Sequence, residues 1–141
     1  MTAAQKSLQI TRLVHIALLT AMLGYLLVPL FAFPIGTQKS PLFLAPIWGF
    51  LALSALGAAM IFRNRLIQPA GETLRSNPED KSAAAQWQKG VILSLVFCET
   101  VPMLGFALRL TGGPWNICGI FYAVGMFFML AWWPRLELPP N

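Results

Sequence analysis

Four apolar blocks, at 13–33, 42–62, 90–110 and 115–133, decide what this chain can fold into. Each is about 20 residues and therefore about 30 Å long as a helix, the thickness of a bilayer's hydrocarbon core. No water reaches that core to satisfy backbone N–H and C=O groups, so a spanning segment must close its own hydrogen bonds as helix. The expected fold is all-α: an integral membrane four-helix bundle of two antiparallel hairpins, forming a single transmembrane domain over 1–141. Composition agrees, because 57% of the residues are hydrophobic and 11% charged, whereas a soluble domain carries about a quarter charged. The N-terminal block has a polar, basic start but no small-residue cleavage site, so it reads as a retained span rather than a cleaved signal.

The connections at 34–41 and 111–114 are short and punctuated by Gly and Pro, which makes their flanking blocks antiparallel neighbours. Orientation follows from the basic residues, since cytoplasmic loops carry the excess. Lys6, Arg12, Arg63, Arg65, Arg75, Lys81, Lys89 and Arg135 fall on one side, against Lys39 and Arg109 on the other. Both termini and the long loop 63–89 are therefore expected in the cytoplasm. Trp48 and Trp115 then fall at the outer interface, and Trp87, Trp132 and Trp133 at the inner one. The formal charge of +5 lies at block ends rather than in a stripe with interleaved aromatics, which argues against nucleic acid.

Within 63–89, Pro69 and Gly71 are expected to break the chain emerging from the second span. Ser76-Asn77-Pro78-Glu79-Asp80 has the form of a helix start, with Asn77 as cap and Pro78 in the first turn. From there the sequence holds no breaker before Gly90, so the helix is expected to run into the third span. The segment is either a folded cap and docking surface or a solvated hairpin.

Glu99 is the only acid inside any block. It lies about nine residues into the third, roughly 13 Å deep by helical rise. A carboxylate at that depth must be protonated, paired or facing a wet cavity, which makes it the proton-binding candidate. Pro102, three residues on, removes the donor for the carbonyl of Cys98 and predicts a helix kink; Pro29 and Pro46 are similar cases. Counting residues for depth brings Ser54, Thr20 and Tyr122 to within about a turn of Glu99, as possible hydroxyl partners. A neutral Glu99 bonded to one of them would act as structural glue. His15 is expected nearer the cytoplasm as an interfacial histidine, and Arg109 near the outer surface, meeting headgroups or Asn116.

Small residues at Gly49, Ala55, Gly57, Ala58 and Ala59 on the second span, with Gly105 on the third, point to close helix packing. Cys98 and Cys118 fall at different depths without CxxC spacing and read as small packing residues. One histidine and no paired intramembrane carboxylates give no metal site, and no nucleotide-binding or hydrolase motif is present. No cofactor is expected. The partners expected are the lipid bilayer and other membrane-protein subunits or further copies of the chain.

Between the second and third blocks lie a small-residue helix (Ala52 to Ala59), a loop with Arg65 and Gln68-Pro69, then Glu99-Thr100 and Gly105-Phe106-Ala107-Leu108. In these residues, under half of the chain, the sequence resembles the hairpin of the proteolipid, or c, subunits of rotary ATP synthases. In that family the loop touches the central stalk and a mid-helix carboxylate gains and loses a proton as the ring turns, so the resemblance implies that role for Glu99. The loop here is longer, the glycine repeat incomplete, and two further spans flank the hairpin. The whole pattern is similar to a group of uncharacterised four-span proteins of the bacterial inner membrane. Two functions follow as expectations: a non-enzymatic accessory, assembly or scaffold subunit, or a proton- or ion-coupled protein using Glu99.

Overall fold

The computed structural model describes residues 2–32 and 44–136. The expected connection at 34–41 lies outside the described residues. Among the described residues all regular structure is helical: α1 (Ala3–Ala32), α2 (Leu44–Phe62), a π-turn (Arg63–Ile67), α3 (Gln68–Ser76), α4 (Lys81–Leu110) and α5 (Trp115–Ala131). Because α2, the π-turn and α3 run on without interruption, they form one rod, and the described chain is four rods.

α1 begins ten residues before its apolar block. Thr2 and Gln5 explain this: the Gln5 N–H donates to Thr2 Oγ1 at 3.2 Å while the Thr2 N–H donates to Gln5 Oε1 at 2.9 Å, a reciprocal capping box. At the same end the Ala4 N–H donates to the carbonyl of Pro78 at 3.1 Å, tying the start of α1 to the chain entering α4.

The expected break at Pro69 and Gly71 does not occur. The Gln68 N–H reaches back five residues to the carbonyl of Arg63, so the hydrogen-bond ladder has already changed register where Pro69 would have failed to donate. Pro69 then sits in the first turn of α3, where its missing N–H costs least. The cap of α4 is likewise Asp80 and not Asn77. Asp80 Oδ1 accepts from the N–H groups of Ser82 and Ala83 at 2.9 and 3.0 Å, whereas Asn77 closes α3 by donating its N–H to Thr73. Residues 63–89 are therefore a folded helical cap. Leu74, Trp87 and Ala70 are buried in it, with exposures of 0, 2 and 3%.

At its far end α4 stops in a Schellman turn. Gly112 takes φ 88°, its N–H donates to Arg109, and the Gly113 N–H donates to Leu108 at 2.8 Å. Only glycine takes that left-handed step at no steric cost, and α5 returns antiparallel from it.

α4 is the centre of the bundle, with α1, α2 and α5 each laid against it. Half of its apolar stretch is buried, compared with 17% for the stretches of α1 and of the α2–α3 rod. Those outer rods present Phe31, Phe50 and Leu53 to the surroundings. Apolar exteriors of this kind mark surfaces that meet a membrane or another protein. α1, the α2–α3 rod and α4 are each long and apolar enough to cross a membrane, and α5 is a shorter apolar helix of 17 residues.

Close approach is set by glycines on α4 and α5. A Cβ at Gly90 would lie 2.8 Å from Leu66 Cβ, one at Gly105 2.7 Å from Phe121 Cβ, and one at Gly125 2.5 Å from Pro102 Cδ. Of the small residues expected to pack, Ala55, Ala59 and Gly105 are buried and Ala58 half-buried. Among the described residues, nothing lies within 4 Å of a Cβ built on Gly49 or Gly57.

Candidate functional site

Glu99 is the nineteenth residue of α4 and is buried, 8% exposed. The hydroxyl that reaches it belongs to Tyr25 of α1, which donates to Glu99 Oε1 at 3.4 Å. That is long for an O–H donor and makes a weak bond. A second tyrosine completes the arrangement: Tyr122 of α5 donates to the backbone carbonyl of Tyr25 at 2.8 Å. Tyr25 also packs its ring against Phe106, with centroids 5.8 Å apart. Three rods thus meet at one tyrosine.

Pro29 makes this possible. In α1 the Tyr25 carbonyl would ordinarily accept the N–H of the residue four positions on, and that residue is Pro29, which has none. The free carbonyl is what Tyr122 engages. Pro102 does the equivalent for the carbonyl of Cys98, and its own ring fills the space left by Gly125.

Ser54 and Thr20, the other hydroxyls expected beside Glu99, are turned outward. Ser54 donates to its own helix at Phe50 (2.9 Å) and Thr20 to Ile16 (2.9 Å). Tyr122 lies one step removed from Glu99, through Tyr25. Tyr25 itself was not among the expected partners. Its signal in the sequence is the Tyr-x-x-x-Pro spacing of Tyr25 and Pro29, which marks an unpaired acceptor beside an aromatic hydroxyl.

Arg109 is buried. Its Nη1 donates to the Gly113 carbonyl at 3.0 Å and its guanidinium lies 4.9 Å from the Trp115 ring centroid, so it braces the α4–α5 turn. His15 of α1 packs against the chain that follows α5. It is fully buried, its ring edge-on to Trp133 at 4.7 Å, and neither ring nitrogen has a hydrogen-bond partner among the described residues. Trp87 is a core side chain of the cap. Cys98 and Cys118 are free and buried.

Chemically, the Glu99 cluster can hold a proton on a carboxyl beside Tyr25 or serve as a polar clasp among three helices. Among the described residues no group of three or more His, Cys, Asp and Glu side chains gathers that could hold a metal ion. No protein-family model matches the chain, and neither a curated protein nor a solved structure matches it.

Proposed function

We propose that the protein is a multi-pass protein of the bacterial inner membrane, crossing four times with both ends in the cytoplasm. In this reading it is a non-enzymatic accessory, assembly or scaffold subunit that associates with other membrane subunits or with copies of itself. The charge distribution supports the orientation, and the apolar exteriors of α1 and α2 support the solvent.

One observation carries the functional reading. A groove of about 260 Å³ runs between α2 and α5 over α4, lined wholly by apolar residues including Gly49, Ala52, Leu53, Ile120 and Phe121. Small residues on a helix face let another backbone approach closely, which is what drives helix association where lipid is already as apolar as leucine. A Cβ built on Gly49 would meet nothing within 4 Å among the described residues, which leaves room for such an approach.

Native mass spectrometry from a mild detergent tests the reading. The wild-type chain is expected with a second subunit or as an oligomer. Gly49→Leu, which the open space around Gly49 accommodates, is expected to run as a lone chain with unchanged helical content. A wild-type chain that is monomeric under these conditions sinks the proposal.

A second reading is favoured by the Glu99–Tyr25 hydrogen bond: a proton- or ion-coupled protein with Glu99 as the titrating group, in the manner of the proteolipid hairpin that this sequence resembles. Glu99→Gln separates the two, because Gln keeps the hydrogen bonding but cannot carry the proton. Intact assembly and activity favour the clasp; assembly with proton movement lost favours the titrating group.

A further inference from the structure

A cavity of about 340 Å³ lies between the π-turn, α4 and residues 130–135, lined by Arg63, Arg135, Trp87, Trp132 and Trp133 among others. We propose that it binds the phosphate group of an anionic ligand, a phospholipid headgroup or a soluble phosphate. Two arginines line it from different parts of the chain, and among the described residues no carboxylate does. Arg63 is held with its guanidinium carbon 5.3 Å from the Trp132 ring centroid. That contact holds the side chain beside the cavity wall. Among the described residues neither Arg63 nor Arg135 pairs with a carboxylate. Guanidinium forks suit phosphate oxygens better than ammonium does.

The backbone supports the same assignment. Arg63 opens the π-turn, a feature that adds a residue to a helix, turns its side chains out of register, and recurs at functional sites. Gly90 allows that turn to press against α4, since any Cβ there would meet Leu66. The cavity is therefore built by two glycine- and π-dependent features rather than left between loosely packed rods. A neighbouring cavity of about 250 Å³ shares Ile67, Trp87 and Arg135 with it and carries Glu72 and Arg75 on its far side. The anion is thus assigned to the Arg63 side.

Depth favours the lipid as the source. With Leu110 at one face of a hydrocarbon slab about 30 Å thick, the helical rise brings Gly90 to the other face. Trp87 and Val91 line the cavity at that level, where phosphates of one leaflet lie and where tryptophan prefers to sit. This step rests on the membrane reading but not on the association reading.

The test uses the full chain, delipidated and returned to nanodiscs of phosphatidylglycerol or of phosphatidylcholine, with retained lipid counted by native mass spectrometry. A parallel arm measures Tm in detergent with inorganic phosphate. Arg63→Gln and Arg135→Gln remove the two guanidiniums. Arg65→Gln removes the same charge from an exposed position of the π-turn outside the cavity. Retention of phosphatidylglycerol over phosphatidylcholine, reduced about tenfold or more by each cavity variant and unchanged by Arg65→Gln, supports the site with lipid as ligand. Equal lipid retention with a phosphate-dependent rise in Tm that both cavity variants abolish supports it with soluble phosphate. No discrimination and no phosphate response overturns it, as does an equal effect of Arg65→Gln. Arg135 is exposed beyond the end of α5, so its variant keeps the test valid should Arg63→Gln disturb the fold.

Discussion

Tyr122 gives its hydroxyl hydrogen to the backbone carbonyl of Tyr25 at 2.8 Å, the one carbonyl of α1 whose helical donor is replaced by Pro29. Tyr122→Phe is expected to cost about 0.6–1.7 kcal/mol, the range for interhelical hydrogen bonds in membrane proteins. Pro29→Ala restores the missing N–H to α1, so in that background Tyr122→Phe is expected to cost less. A double-mutant cycle on unfolding in detergent measures the coupling. Additive effects would show that the tyrosine does not compensate for the proline.

Gly125 and Gly57 are expected to behave in opposite ways when given a methyl group. At Gly125 the methyl would meet the Pro102 ring at 2.5 Å, so Gly125→Ala is expected to separate α4 from α5 and lose about 1–3 kcal/mol through overpacking. At Gly57 nothing lies within 4 Å, and Gly57→Ala is expected to be neutral or to gain up to about 1 kcal/mol from helix propensity. Thermal unfolding in one detergent compares them directly.

Trp87 fixes the cap. It is 2% exposed, packs near Gly71 of α3, and belongs to the core that includes Leu74 and Ala84. Trp87→Ala is expected to cost about 3–5 kcal/mol and to expose the 68–76 segment to proteolysis while the apolar rods remain helical. Limited digestion combined with circular dichroism reads both effects.

Asp80 gives the cap a pH dependence. The N–H of Ala83, followed by the contacts with Ser82, holds its carboxyl below the usual carboxylate range. A carboxyl with a depressed pKa in the folded state stabilises fully above its unfolded value and loses that contribution as pH falls through the folded value. Amide exchange at Ser82 and Ala83 is therefore expected to accelerate on acidification below about pH 4. Asp80→Asn keeps a capping oxygen without the charge and is expected to flatten the response. An unchanged acid dependence in Asp80→Asn would remove Asp80 as its source.

What the amino-acid sequence disclosed and what it withheld divide along depth and azimuth. Helical rise is fixed, so counting residues gives depth. Ser94 bonds to Ala59, and five residues further along α4 and back along α2 Glu99 comes level with Ser54, as expected. Rotation about the axis is set by packing, and it turns Ser54 outward. On α1 the depth estimate also slipped, because the helix starts at Ala3 through a capping box and not at the apolar boundary. Tyr25 lies 74 residues before Glu99, the same offset that joins Ala4 to Pro78, and this parallel register leaves Thr20 more than a turn away. The π-turn was illegible for a related reason. Pro69 reads locally as a breaker, and only the close fit of Leu66 to Gly90 shows why the rod continues past it.

The central position of α4 bears on the order of assembly. It is third of the four rods to be synthesised, and among the described residues α1 and α2 owe their main contacts to it rather than to each other. A nascent chain ending at Ser76 would hold two rods with no common axis to grip. The scaffold can then close only when residues 81–110 have emerged, with α5 sealing it soon after.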